Sequence, residues 1–332
     1  MSNKHYIIPI FVPQEGCPHK CVFCNQDKIT GTQEVVTAQT VYDTVDEYLK
    51  TIDKNNATVE LSFFGGTFTG IREEKQKELL KVAKEYKDKK LIDKIHMSTR
   101  PDYINEHILD YLKEYDVDII ELGVQSLDID VLKASGRGHS IEQVEEASKL
   151  IKKYNITLGH QIMVGLPKDT FEKDINSVKR SIEMKPEIAR LYPALVIKDT
   201  PMEIMYNNKT YTPYSLEEAV EVCKKLYVLY KNAGVNVIRM GLQPTEEINL
   251  DGEVLGGPFH PAFRELVEGS LMVDQIRNQI KDTKQGKIII NPKDISKLYC
   301  NKKQYFKKLI EEGYKVNVET CDKINRGDFI IR

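Results

Sequence analysis

Three cysteines lie within eight residues near the start of the chain, at Cys17, Cys21 and Cys24. Cysteine thiolates hold iron-sulfur clusters, and a 4Fe-4S cluster ordinarily takes four of them. Three thiolates on one short loop, with no fourth cysteine nearby, would leave one iron open to a small molecule. An open iron favours chemistry at the cluster over simple electron storage.

A zinc site is the alternative for the same loop, with His19 or a distant His or Cys completing a tetrahedron. Zinc ligands normally come as two paired sets, and the sequence has no second pair at a suitable spacing. The three other cysteines are scattered through the last third of the chain, at Cys223, Cys300 and Cys321. That distribution argues against a disulfide framework and favours buried thiols.

The x3/x2 spacing of the cysteines, with the aromatic Phe23 before the last of them, resembles the signature of the radical S-adenosylmethionine (SAM) superfamily. The resemblance implies two cofactors, a 4Fe-4S cluster and SAM, and an electron donor of the flavodoxin or ferredoxin type. In that family the open iron binds SAM, and one electron cleaves it to methionine and a 5'-deoxyadenosyl radical. Such cofactors carry the radical chemistry, while the protein supplies position and shielding.

Strands and helices that would position this loop alternate along the chain. Apolar, β-branched runs predict six strands, at Tyr6–Val12, Thr58–Phe64, Lys94–Ser98, Asp118–Val124, Ile156–Val164 and Ile188–Val196. Helical periodicity predicts helices between them, at Val41–Asp53, Glu73–Tyr86, Glu106–Tyr115, Ile141–Tyr154 and Phe171–Met184. Parallel strands with right-handed crossovers curl into a barrel, with chemistry at their carboxyl ends. We therefore expect an α/β fold, a partial (β/α)6 TIM-like barrel of the radical SAM type.

The rhythm changes after about residue 198. Helices are predicted at Leu216–Asn232, Pro261–Lys281 and Lys302–Glu311, and strands at Val235–Met240, Lys287–Asn291 and Tyr314–Val318. We expect residues 1–198 to form the barrel and residues 199–332 to form a small C-terminal α/β cap that binds substrate or RNA.

Adjacent glycines, Gly65 and Gly66, end the second predicted strand and precede Thr67. Without a Cβ, such residues let backbone groups approach a ligand closely. The pair resembles the Gly-Gly motif that receives the SAM amino group in the superfamily. A plain tight turn is the alternative.

Polar residues at the next strand ends complete the expected SAM site. Arg100 suits a carboxylate, through two parallel hydrogen bonds. Glu121 or Gln125 would accept hydrogen bonds from ribose hydroxyls, and the stretch from Gln161 to Gly165 offers a wall for adenine. Surface salt bridges, helix caps and simple turns are the alternatives for these residues.

Residues 96 to 260 resemble the radical SAM domain of the Elongator catalytic subunit and its short bacterial relatives, which are often called oxygen-independent coproporphyrinogen oxidase-like. The matching motifs begin at Thr99, Glu121, Gly165, Leu191 and Gly257. That family modifies the wobble uridine of transfer RNA. The first cysteine gap is shorter here, and nothing after residue 260 resembles an acetyltransferase domain. We therefore do not expect acetyl-CoA-dependent carboxymethylation.

The segment from Lys281 to Lys308 holds nine lysines against two aspartates, with Tyr299, Tyr305 and Phe306 among them. Lysines neutralise phosphates and exposed aromatics stack on bases, so the segment predicts contact with tRNA. A solvated surface whose aromatics face the core is the alternative.

Two residues are candidates for work on the substrate. Tyr192 ends the sixth predicted strand and would bond the substrate or relay hydrogen, and His260 would donate a proton. A packed tyrosine and a helix cap are the alternatives.

The composition is that of an ordinary globular protein, with 41% hydrophobic residues, 30% charged residues and a formal charge of -2. The apolar stretch Tyr6 to Val12 is too short for a signal peptide or a membrane span, so we expect a cytoplasmic protein without membrane contact. The leading hypothesis is a radical SAM enzyme acting on tRNA or another RNA. A small-molecule or tetrapyrrole substrate, and a zinc-stabilised binding module, are the alternatives.

Overall fold

The computed structural model describes residues 4–12, 15–17, 19–25, 35–244, 248–249 and 252–332, which include all the predicted site residues. Its strands are β1 Lys4–Val12, β2 Ala57–Gly65, β3 Lys94–Thr99, β4 Ile119–Gln125, β5 Thr157–Val164, β6 Ile188–Pro193, β7 Val196–Ile197, β8 Asn236–Met240, β9 Val254–Gly256, β10 Gln285–Ile290, β11 Lys315–Thr320 and β12 Phe329–Ile331. Its helices are α1 Ala38–Leu49, α2 Glu73–Asp88, α3 Glu106–Glu114, α4 Ile129–Ala134, α5 Ile141–Lys153, α6 Phe171–Glu183, α7 Pro201–Asn207, α8 Leu216–Asn232, α9 Phe263–Gln279, α10 Ile295–Leu298 and α11 Cys300–Glu311.

Seven parallel strands form the main sheet, in the order β1-β2-β3-β4-β5-β6-β8. Successive strands are therefore neighbours, as in a TIM-like barrel whose crossovers all run the same way. The predicted α/β partial barrel is confirmed, with seven strands where the sequence predicted six. The added strand, β8, had been assigned to the region after residue 198, so the sheet continues past the expected boundary. The division at that residue stays a prediction.

The sixth predicted strand is shorter than expected. It ends at Pro193, and the peptide then turns so that Ala194 donates a backbone hydrogen bond to Val164. The last residues of the predicted run form β7, which pairs with β9 in a separate antiparallel sheet.

Side chains alternate across the main sheet, as the strand period requires. One set is apolar, fully buried and packed against the helices, as with Ile8 and Leu61. Burying a side chain of this kind stabilises the fold by about 1.5–3 kcal/mol. The alternate set points into the barrel and is polar on several strands, as with Glu60 and Glu121. The core therefore lies between sheet and helices, and the barrel interior carries the charge.

Local sequence determines where several helices begin. Capping boxes start α1 with Thr37 and Thr40, α5 with Ser140 and Gln143, and α8 with Ser215 and Glu218. Within the described ranges, no helix is both long and apolar enough to cross a membrane.

A smaller unit follows the barrel. In its sheet β10 lies between β11 and β12, and a separate apolar cluster around Ile276 and Ile288 covers it. Asn301, Lys302 and Lys303 have positive φ, so the regular part of α11 begins after them. Helix α9 packs on α8 and joins this unit to the barrel.

Candidate active site

The cysteine loop follows β1 at the carboxyl edge of the sheet, and it interlocks with the glycine turn after β2. Gly66 donates a hydrogen bond to the carbonyl of Val12 (2.9 Å), and Thr67 donates one to Glu15 (3.1 Å). A Cβ on Gly66 would lie 2.3 Å from the Glu15 oxygen, and one on Gly16 would lie 2.3 Å from the Thr67 oxygen. Only glycine permits this approach, so the two loops support each other.

The other side of the cysteine loop is held by later parts of the chain. Val22 donates to the carbonyl of Ser135 (3.0 Å), just after α4, and accepts from Met202 (2.9 Å), in α7. Phe23 is half-buried against an apolar cluster that includes Val131 and Leu166. The loop therefore rests on three separate elements of the fold.

The three thiols differ in their surroundings. Cys21 is buried, whereas Cys17 and Cys24 are half-buried. All six cysteines of the chain are described, and none forms a disulfide. Among the described residues, no three His, Cys, Asp or Glu side chains are gathered closely enough to hold a metal ion. Pro13, Gln14, Pro18 and residues 26–34 lie outside the described part of the chain.

Arg137 reaches the cysteine loop and was missed by the sequence analysis. Its Nη1 lies 3.5 Å from Cys21 Sγ, and its Nη2 donates to the carbonyl of Gly123. It is buried, as is His139 two residues later. Burial, together with the charges of Arg137 and Arg100, lowers the pKa of His139 to about 3. The signal was the motif Gly136 to His139, in which two glycines with positive φ flank an arginine.

Arg100 is buried, and most of its hydrogen bonds go to other groups of the protein. Its Nε and Nη2 donate to the two carboxylate oxygens of Asp102, each at 2.9 Å, and Nη2 also donates to the carbonyl of Arg137. Burial acts to raise the pKa of Asp102, but the hydrogen bonds and the charge of Arg100 lower it by more, so the pKa lies below its usual value. The guanidinium of Arg100 therefore binds Asp102, and only its Nη1 has no partner among the described residues. The contact predicted between Arg100 and the SAM carboxylate stays a prediction.

Gln125 ends β4 with a φ of 67°, at a register shift between β4 and β5. Bulges of this kind redirect side chains beside functional sites. Gly165, after β5, has a φ of 73° and faces the ring of Tyr214, 2.7 Å from where a Cβ would be. Its carbonyl accepts from Tyr211. Packing against Tyr214 explains why residue 165 is a glycine. The contact predicted between Gly165 and adenine stays a prediction.

A buried polar network crosses the barrel interior. Arg190 Nε donates to Glu121 (2.8 Å), and Gln161 Nε2 donates to Glu121 (2.7 Å) and to Ser98 (3.0 Å). His96 lies between two carboxylates, with Nδ1 2.6 Å from Glu60 and Nε2 3.1 Å from Glu121. Glu121 is therefore a buried ion-pair partner, and the ribose contact predicted for it stays a prediction.

The charges of this network support one another. Burial alone would raise the pKa of Glu121, but Arg190 and His96 hold it at about 2. Burial also opposes ionisation of Glu60, and His96 with Ser62 holds that pKa at about 2. Burial lowers the pKa of His96, but the two carboxylates raise it above its usual value. Two anions and two cations thus balance inside the barrel.

The two substrate candidates lie at the same edge. The Tyr192 hydroxyl accepts from Arg190 Nη1 (3.3 Å), so the network orients it. His260 lines a small cavity together with Pro193, which ends β6, and Gly241, which follows β8. Its Nδ1 accepts from the backbone of Ala262 at the start of α9 (3.0 Å), and burial lowers its pKa. This bond lies in the turn before α9, which has no side-chain cap, and the proton-donor role of His260 stays a prediction.

Some buried polar atoms have no hydrogen-bond partner among the described residues, and six of them belong to residues at the carboxyl edge of the sheet, on the side of the cysteine loop. These six are Thr67 Oγ1, Arg100 Nη1, Gln125 Oε1, Arg137 Nε and both ring nitrogens of His139, whereas others, such as Arg190 Nη2, lie elsewhere. Folded proteins leave few such atoms unpaired, so a polar ligand is expected at this edge. Three thiols of one loop and this ring of unpaired donors and acceptors fit a three-cysteine cluster with a zwitterionic ligand beside it.

Two family models match the chain. The radical SAM superfamily model matches residues 11–180, and the radical SAM C-terminal domain model matches residues 186–272. The chain is 29% identical over 255 residues to the tRNA uridine(34) acetyltransferase of Methanocaldococcus infernus, covering 65% of this chain and 48% of that protein. It is 28% identical over 203 residues to human Elongator complex protein 3, covering 55% and 37% respectively. The chain thus spans about half the length of the curated relatives it matches.

Solved structures show the same architecture. The archaeal Methanocaldococcus infernus Elp3 with an N-terminal deletion superposes with a TM-score of 0.62, at 20% identity, covering 85% of this chain and 64% of that one. The anSMEcpe protein with bound AdoMet and a peptide superposes with a TM-score of 0.51, at 18% identity, covering 70% and 63%. At these identities the likeness establishes the fold.

The first family model alone covers half of the chain, from the end of β1 to α6. Enzymes of this family use a 4Fe-4S cluster and SAM, and the cysteine loop and its polar surroundings fit both. The chain therefore belongs to the radical SAM superfamily and is an enzyme of that family.

Proposed function

We propose that this enzyme acts on transfer RNA, using Cys17, Cys21 and Cys24 to hold the cluster. The observation that carries the cofactor site is the set of unpaired buried polar atoms beside the cysteine loop, at the edge where parallel barrels place their chemistry. When bound, the cluster and SAM supply one-electron cleavage of SAM and, through it, abstraction of hydrogen from the substrate.

Residues of the chain supply position and charge. Arg137 places a cation beside Cys21, which offsets the negative charge that thiolates bring to the loop. Thr67, Gln125 and His139 offer hydrogen bonds to a zwitterionic ligand. Gln161 is fixed by Glu121 and Ser98, and Tyr192 by Arg190, so both side chains are oriented before substrate arrives.

The choice of tRNA has two supports. Relatives of the chain are named tRNA uridine(34) acetyltransferase and Elongator complex protein 3, although the chain spans only 48% and 37% of their lengths. The smaller unit also presents what we call the lysine-rich surface, eight exposed lysines at Lys281, Lys284, Lys287, Lys293, Lys302, Lys303, Lys307 and Lys308. The ninth, Lys297, is half-buried and paired with Glu268 (2.8 Å).

The aromatic side chains of this segment do not project into solvent. Tyr299, Tyr305 and Phe306 are half-buried and pack on the apolar cluster of the smaller unit. Tyr299 and Phe306 also contact each other edge to face, and Lys303 lies over the Tyr299 ring. We therefore propose that tRNA contacts here go to phosphates, with no base stacking on these rings.

Turnover tests the proposal directly. Reduced, cluster-loaded enzyme is incubated anaerobically with SAM, with and without bulk tRNA, and 5'-deoxyadenosine is measured. We expect stimulation by tRNA, and loss of product in Cys24→Ala but not in the matched Cys321→Ala. Equal turnover with and without tRNA would contradict the RNA substrate and favour a small molecule such as a tetrapyrrole. The reducing partner in this assay is a flavodoxin or ferredoxin, our proposed electron donor.

Binding tests the lysine-rich surface separately. Replacing Lys302, Lys303, Lys307 and Lys308 with glutamine removes up to four phosphate contacts. Each contact contributes about 0.7 to 0.9 to the slope of log affinity against log salt, so we expect the slope to fall by roughly 3. A control variant with glutamine at four exposed lysines elsewhere, Lys81, Lys149, Lys179 and Lys231, should keep the slope. Equal losses in both variants would contradict a specific surface.

We further propose that the enzyme works in the cytoplasm. Six cysteines without a disulfide, three of them proposed cluster ligands, suit a reducing compartment.

A further inference from the structure

A second cavity lies at the end of the barrel opposite the cysteine loop. Its volume is about 370 Å³. It is lined by residues that begin the parallel strands, among them His5 on β1, Lys94 on β3 and Asn236 on β8. The cysteine loop and the unpaired polar atoms lie at the carboxyl ends of the same strands. The cavity therefore opens at the other end of the barrel, and its inner end meets the buried network of Glu60, His96 and Arg190 described above.

The walls of this cavity follow from the strand period. Alternate residues of each strand face the interior, so Lys94 and His96 line it from β3, and Ile188 and Arg190 from β6. Its apolar surface comes from four isoleucines on four strands, which are Ile7, Ile119, Ile188 and Ile238. A cavity with apolar walls and a few charged groups has the make-up of a small-molecule site, and its volume lies within the usual range of about 300–1,000 Å³.

The charge of the cavity is unbalanced. The buried groups at its inner end, Glu60, His96, Glu121 and Arg190, compensate one another through the contacts given above. Lys94 and Arg239 also line the cavity, and neither has an ion-pair partner within the part of the chain that the structure describes. Two further cations thus line the cavity, and Asp93, the acidic neighbour of Lys94, is itself paired with Lys54.

The pairing of β6 with β8 adds an independent observation. Arg190 and Arg239 are direct register partners on these neighbouring strands, at a point where the register shifts. Like charges held on neighbouring strands repel each other. Arg190 is only 7% exposed, and its Nη2 is buried without an acceptor in the described residues. An anion between the two guanidinium groups would remove the repulsion and supply the missing acceptor.

We propose that this cavity binds a small organic anion, a carboxylate or phosphate ester with an apolar portion. Arg239 and Lys94 hold its charged group beside Arg190, since guanidinium forks bind both oxyanions through paired hydrogen bonds. The isoleucines contact the apolar portion. Nothing in this proposal depends on the substrate of the radical SAM site.

Calorimetry on the full, cluster-loaded chain saturated with SAM tests the proposal, because SAM then fills the other edge of the barrel. Three probes are titrated: phenyl phosphate, hexanoate and, as a neutral comparison, hexanol. We expect saturable binding of at least one anion and none of hexanol. Tighter binding of phenyl phosphate assigns a phosphate ester, and tighter binding of hexanoate assigns a carboxylate.

Matched variants test whether the anion binds in this cavity. Lys94→Gln combined with Arg239→Gln should weaken binding at least tenfold, and Lys94→Gln alone, at an exposed strand start, should weaken it severalfold. The control combines Lys179→Gln with Arg326→Gln, which removes the same charge from exposed residues outside the cavity and should leave affinity unchanged. The proposal is overturned if neither anion binds saturably, if the cavity variants bind as the parent does, or if the control loses affinity equally.

Discussion

Replacing Glu121 with glutamine should destabilise the fold by several kilocalories per mole. Glu121 is 1% exposed and neutralises the buried Arg190 and His96. Glutamine keeps the size of the side chain but removes the charge, and it replaces one accepting oxygen with an amide nitrogen that faces other donors. Arg190 would then lie in the barrel interior without a counter-ion.

Two lines of reasoning give the magnitude. The pKa of Glu121 is lowered from 4.5 to about 2. At about 1.4 kcal/mol per unit, this corresponds to about 3 kcal/mol of stability at neutral pH. Breaking a buried pair by removing one partner typically costs about 3–5 kcal/mol. We therefore expect a loss of about 3 to 4 kcal/mol at pH 7.

The pH dependence follows from the sign of the shift. Because the pKa of Glu121 is lower in the folded state, its contribution is present above about pH 4.5 and is lost as the pH falls through about 2. The difference between parent and Glu121→Gln should therefore shrink in acid. Anaerobic urea unfolding, followed by circular dichroism at pH 7 and pH 3.5, measures both quantities.

A surface pair provides the control. Glu145 and Arg180 are paired at 2.9 Å with side chains 49% and 41% exposed. Such pairs contribute about 0–1 kcal/mol, so Glu145→Gln should change stability by less than about 1 kcal/mol. A loss in Glu121→Gln as small as that of the control, or one that does not change with pH, would refute the buried-network reasoning.

Three further predictions concern single residues. Gly66→Ala should lower bound iron per chain severalfold, because the new Cβ meets the Glu15 carbonyl. The control is Gly313→Ala in the smaller unit, which strains the backbone at a φ of 90° but meets no neighbouring atom, and it should keep its iron. Equal iron in both variants would contradict the loop interlock. Arg137→Gln should lower the reduction potential of the loaded cluster, because a cation beside Cys21 is lost. A redox titration measures the potential, and an unchanged potential would show that Arg137 does not tune the cluster. Asp174→Asn should raise the free energy of unfolding more at pH 8 than at pH 5. Burial and Asp169 raise the pKa of Asp174 in the folded protein, so the parent loses stability as the pH rises towards that raised pKa. A stabilisation by Asp174→Asn that becomes smaller as the pH rises would contradict the raised pKa.

Local features of the site were predictable from the sequence. The cysteine loop and the glycine turn after β2 are defined by residues close together in the chain, and the strand pattern places both at one edge. Arg137 and Arg190 were not found, because their roles depend on the sheet. Arg190 lies in an otherwise apolar run, and only the register of β6 shows that it faces Glu121 on the inner side.

Non-local packing also explains two features that the sequence alone did not settle. β8 follows a polar, turn-rich passage, so its sequence position suggested the cap, but its hydrogen bonds pair it with β6. Tyr299 and Phe306 lie in a lysine-rich segment that suggested an exposed aromatic surface. In the fold they cover the apolar cluster of the smaller unit, which needs them as core.

A cluster on the cysteine loop should leave one iron open to SAM. Electron paramagnetic resonance of the reduced, cluster-loaded protein, recorded before and after addition of SAM, measures this. We expect a 4Fe-4S spectrum that changes when SAM is added. A spectrum that is the same with and without SAM, or a protein that takes up zinc and gives no cluster signal, would contradict it.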